Sequence, residues 1–146
     1  MVSRRELLIV MMGAVAALAT PSHAQPIRLV ERGSPERKEI LDVVRASVQR
    51  RLGIKVIFQV ERLAVFGDWA FAGLRPRTGT GGRIDYRRTL YAKNFDPEQD
   101  SDTVDVLLRR NGAAWAIVEE AFLPTDVVWE EWQGKYKLPR GLFFVE

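Results

Sequence analysis

The sequence predicts an α+β domain in which an N-terminal helix packs on a curved antiparallel sheet of about four strands, arranged as two hairpins, with an aromatic-rich C-terminal helix closing it. Three observations carry this. Apolar side chains recur every three to four positions from Pro35 to Leu52, alternation with a period of two follows it, and Asn111-Gly112 marks a tight turn between two later apolar runs.

Residues 1–24 are set apart as a cleavable export signal. Arg4 and Arg5 form a basic start, Leu7 to Ala19 is an apolar run, and Pro21, Ser22 and Ala24 supply the break and small residues of a cleavage site. The run is too short to span a bilayer as an anchor. Ser3-Arg4-Arg5-Glu6-Leu7-Leu8 also resembles a twin-arginine signal, so two export routes stay open. The product is expected in the periplasm or outside the cell, as one domain over residues 25–146.

Removing Arg4, Arg5 and Glu6 from 22 basic and 19 acidic side chains leaves 20 and 18, a net charge of +2. That balance is no nucleic-acid footprint. All three methionines and the single histidine, His23, lie in the leader, and the chain has no cysteine. The domain therefore has no thiolate or imidazole catalyst, none of the usual nitrogen or sulfur ligands for zinc, haem or iron-sulfur centres, and no disulfide. No cofactor is expected. No lipid-anchor cysteine follows the cleavage position, so no stable membrane anchor is expected after cleavage.

Element by element, Ser34 stands where an N-cap belongs, with Pro35 at the first helical position and Glu36 beside it. Ile40, Leu41, Val43, Val44, Val48 and Leu52 share one side of the helical wheel, and Gly53 supplies the stop. Ile54, Val56, Phe58 and Val60 alternate as a strand before the apolar parity switches to Leu63 and Val65, which predicts a bulge near Glu61-Arg62. Gly67-Asp68 turns the chain into a strand with Trp69, Phe71 and Gly73 on one face and Ala70, Ala72 and Leu74 on the other. A long connection, roughly Pro76 to Asp102, precedes the second hairpin. A two-residue turn on Asn111-Gly112 would place Leu108 opposite Trp115, Val106 opposite Ile117 and Val104 opposite Glu119. Finally, Thr125 as N-cap starts a helix that gathers Val128, Trp129, Trp132 and Tyr136 on its buried side, leaves Glu130 and Glu131 to solvent, and ends before Pro139. Both helices are expected over the same apolar side of the sheet.

This order of elements resembles the cystatin-like and nuclear-transport-factor-like α+β architecture, in which a curved sheet wraps a helix. The segments "RGSPERKEILDVVR", "GDWAF", "NGAAWAIVEEAFLPTDVVW" and "KLPRGLF" also resemble a family of small, uncharacterised exported bacterial proteins. The resemblance implies a fold and a compartment. Enzymes of this architecture use aspartate, tyrosine or histidine in the concavity of the sheet, and no such set matches here residue by residue.

Three groups of residues are candidates for chemistry. Glu119, aimed by the hairpin to the side of Trp115 and Ile117, is the candidate general acid or base; the simpler reading places it at the sheet margin, exposed or paired with Arg75 or Arg77. Arg75, Arg77, Arg83, Arg87 and Arg88, interleaved with Tyr86 and Tyr91, are candidates for contacting an anionic ligand or an envelope protein; the simpler reading is a mixed, solvated loop. Asp96, Glu98, Asp100 and Asp102 alternate like the start of a calcium loop, but Ser101 and Leu107 stand where its glycine and bidentate glutamate belong, so no metal site is expected. The function these residues support is binding or protein interaction. The alternatives are a small carboxylate-dependent hydrolase or isomerase, or an inhibitor of an extracellular enzyme.

Overall fold

The computed structural model describes residues 26–145, so the export signal expected over residues 1–24 lies outside the described residues. Five antiparallel strands form one open sheet in chain order: β1 (Arg28–Leu29), β2 (Val56–Phe66), β3 (Trp69–Thr78), β4 (Val104–Asn111) and β5 (Ala114–Phe122). The expected four strands are the last four. The fifth, β1, pairs Arg28 with Val65 and Leu29 with Ala64, and a two-residue strand leaves no periodic signal to read. No helix among the described residues is long and apolar enough to cross a membrane.

Helix α1 (Pro35–Leu52) forms where its caps require. Ser34 Oγ accepts the Arg37 amide at 3.2 Å, and Gly53, at φ 71°, ends the helix by donating its amide to Gln49 O. Its buried side is Ile40, Leu41, Val44, Val48 and Leu52. These pack on Val56, Leu63, Val65, Ala70, Ala72, Leu74, Val104, Val106 and Leu108. Each valine, leucine or isoleucine among them contributes about 1.5–3 kcal/mol by leaving water. The parity switch in β2 is a bulge as expected: Val60 faces Leu74, Arg62 faces Gly73, and Glu61 is the extra residue.

The second hairpin departs from expectation in register. Asn111 pairs with Ala114, so the turn is centred on Gly112-Ala113, and Trp115 faces Arg110 while Leu108 faces Ile117. Gly112 takes φ 63° at the first central position, a geometry that glycine adopts without steric cost. A second bulge follows, leaving Val118 unpaired, so that Glu119 faces Leu107 and Glu120 faces Val106. The bulge exchanges Glu119 and Ala121 for Glu120 and Phe122 on the α1 side. That exchange brings Phe122 onto the main core beside Tyr86 and Tyr91.

The largest correction concerns helix α2 (Trp129–Tyr136). It lies on the side of the sheet opposite α1, packing with the C-terminal turn at Arg140–Leu142 against Ala64, Phe71 and Leu107. The physical reason is that β2, β3 and β4 are apolar on both faces: Ala64, Phe71 and Leu107 alternate with residues of the α1 core and need their own cover. The helix is also shorter than expected. It starts from Val128 without a side-chain cap, not from Thr125, and ends at Lys137 with φ 53°. Trp132 is buried, Trp129 and Tyr136 are half-buried, and Glu130 and Glu131 are exposed. The aromatic stripe is thus a packing face, as expected, although only its centre is fully closed.

Candidate functional site

Gly73 in β3 pairs with Asp105 in β4, and both face the α2 side. Because Gly73 has no side chain, the sheet has a low floor at this point: a Cβ there would lie 3.4 Å from the Phe71 ring and 3.7 Å from Asp105 Oδ1. Phe71, Trp129, Phe143 and Phe144 wall the cleft above that floor, with Glu61, Arg62 and Thr103 at its rim; its volume is about 410 Å³. A second cleft of about 340 Å³ shares Thr103, Asp105 and Trp129 and continues past Pro124, Asp126 and Val127. The two together form an open groove with Asp105 at the junction.

Asp105 is the outlier among the half-buried carboxylates. Glu36 accepts from Arg28 and Arg110, Asp42 from Lys38 and Arg45, Asp100 from the Asp96 amide, and Asp102 from Arg77 and Tyr86. Glu119 accepts from Lys135 and Tyr136, and Glu120 from Ser47 and Arg51. Asp105 accepts from none of the described residues. Burial in the aromatic cleft, with the negative charge of Glu61 adding to it, pushes its carboxyl up to about 6. The neighbouring Arg62 does not compensate it. Its guanidinium is committed to main-chain oxygens, Leu142 O at 3.0 Å and Gly141 O, and burial lowers its pKa.

The sequence candidates fall elsewhere. Glu119 does not share a face with Trp115 and Ile117, because the β5 bulge turns it to the α2 side. There Lys135 Nζ donates at 2.9 Å and the Tyr136 hydroxyl at 2.7 Å, and these hydrogen bonds hold its carboxyl below the usual range. A general acid near neutral pH needs the reverse shift. Its partner is Lys135, not Arg75 or Arg77.

The arginine group divides in two. Arg75 pairs with Glu61, and Arg77 donates to Asp102 at 2.8 Å and to Gln59. Tyr86 is buried, its hydroxyl donates to Asp102 at 3.3 Å, and burial raises its pKa. Tyr91 packs edge-on against Phe122. These four brace the end of the core. Arg83, Arg87 and Arg88 are exposed on the connection, and no carboxylate among the described residues pairs with them.

The acidic run is likewise dispersed by use. Asp96 accepts the Glu98 amide and Asp100 the Asp96 amide within one turn, while Asp102 points to Arg77. Among the described residues no three acids gather as a metal site. Asp105 is the candidate residue the sequence reading missed. It sits between Val104 and Val106 like any solvent-facing strand residue, and the signal that marks it is its parity: it shares a face with Leu107.

The chain matches no protein-family profile, no curated protein and no solved structure.

Proposed function

We propose that the protein is an exported domain, periplasmic or secreted, that acts by binding a partner through the α2 side of its sheet. The observation that carries this reading is the placement of Asp105, a half-buried carboxylate without a donor among the described residues, at the junction of an open groove. On the α1 side, a cleft of about 430 Å³ along the helix holds Asp42, but that carboxylate accepts from Lys38 and Arg45. An open, aromatic-walled groove suits recognition of a surface more than enclosure of a small molecule.

Photo-crosslinking in the producing cell tests this. A photoreactive residue at Val127, which is 57% exposed at the groove, is expected to give a discrete adduct, and one at Arg88 on the connection is not. Adducts from position 88 alone, or from neither, would overturn the reading.

A second reading, a carboxylate-dependent hydrolase or isomerase, is favoured by one observation. A carboxyl at about 6 can hold and release a proton close to neutral pH. Asp105 replaces Glu119 as the candidate in that reading, and the other carboxylate of the cleft, Glu61, is paired with Arg75.

A further inference from the structure

Resting on that binding reading, we infer that the groove at Asp105 takes a basic side chain, a lysine ammonium or arginine guanidinium on its aliphatic arm, from an extended segment of a partner polypeptide. Asp105 supplies an uncompensated negative charge at the floor, and its lone pairs have no donor among the described residues. Phe71, Trp129, Phe143 and Phe144 supply apolar and π surface for the arm and the cation. The molecule already seats a cation on this wall: the Arg140 guanidinium lies 4.4 Å from the Phe144 ring centroid and 5.9 Å from that of Trp129. The groove continues on both sides of Asp105, which suits a chain passing through, and its ends carry exposed Val127 and Val145.

Three carboxylates and one cation, Arg62, line the groove, and the Arg140 guanidinium lies on the Phe144 and Trp129 rings. Asp126, from the segment before α2, and Glu61, from β2, line the groove with Asp105. Glu61 is paired with Arg75, and Arg62 is held by the Gly141 and Leu142 carbonyls. From β3 the facing residue is Gly73, which carries no charge. A partner cation would favour the ionised carboxylate, so below about pH 6 binding and proton release are linked.

The test is a calorimetric titration of the purified domain at pH 7.5 with a blocked pentapeptide of alanines around a central lysine. Controls are the same peptide with glutamine or glutamate at the centre, and free 1,5-diaminopentane. Lysine-peptide binding is expected to weaken about tenfold at pH 5, and at least tenfold with Asp105→Asn or with Asp105→Ser, each variant being checked for native circular dichroism. Equal binding of the glutamine peptide, or unchanged binding by the folded Asp105→Asn variant, would overturn the inference. So would free diamine binding as tightly as the peptide, which would assign the site to a small amine. A Val127 adduct that persists unchanged in the Asp105→Asn variant would remove this inference and leave the binding reading standing.

Discussion

On the α1 side of the sheet, Ile40, Val44, Val48 and Leu52 meet Leu74, Val104, Val106 and Leu108 with no exposure at all. On the α2 side, Trp132, Leu142 and Phe143 are buried, but Trp129 and Phe144 stand half in water at an open groove and Tyr136 is half-exposed beside Trp69. One helix is 18 residues long with a cap at each end; the other is eight residues long with no side-chain cap at its start. In a small domain without disulfides, aliphatic packing on one side carries stability, while aromatic packing on the other leaves open surface, the surface proposed above for recognition.

Five variants break or sharpen that contrast. Ile40→Ala opens a cavity in the closed side and is expected to cost about 2–5 kcal/mol in urea unfolding. Trp129→Ala, on the open side, is expected to cost distinctly less; an equal cost would erase the contrast.

Asp105→Asn is expected to act in the other direction. An aspartate that is harder to ionise folded than unfolded makes the folded state bind more protons, so its contribution to stability falls as pH rises from about 4 to about 6. Removing the charge should therefore stabilise the domain at pH 7 by about 1–2 kcal/mol, allowing for solvent at a half-buried site. It should also flatten the wild-type decline over that pH window. Paired urea series at pH 4.5 and pH 7 would show a variant no more stable than wild type if the carboxylate is in fact satisfied.

Glu119→Gln loses a charged acceptor on the margin of the open side, where solvent already screens Lys135. The urea midpoint is expected to move little and downward; a rise would mean that Glu119 is strained in place. The Arg87→Ala, Arg88→Ala double variant, on an exposed turn, should leave the melting temperature unchanged. Retention on heparin at physiological salt that vanishes in this variant would instead make the connection an anion site.

The closed side was legible because its periods are clean: the α1 stripe, the Glu61 bulge and the Ala70, Ala72, Leu74 face each follow from spacing. Three things were not. The Arg28–Leu29 strand is too short to alternate. The register of the second hairpin depends on which residue next to Gly112 completes the turn, and the bulge at Val118 depends on whether Phe122 or Ala121 is buried, a tertiary choice. The side taken by α2 was hidden because "WAFAGL" and "VLL" are apolar on both parities, which states that two covers are needed without stating which helix supplies each. Asp105 follows from that second cover: a polar residue on a strand face looks solvated until something packs beside it.

The account stands most directly on the state of one carboxyl group. Following the Asp105 side-chain carbonyl carbon by NMR from pH 3 to pH 8 should give a midpoint near 6 in the free domain, moved down by the lysine peptide. A midpoint at or below the ordinary aspartate value of about 4 would mean that the carboxylate is hydrated or already paired, and the α2 side would lose its claim to be the recognition face.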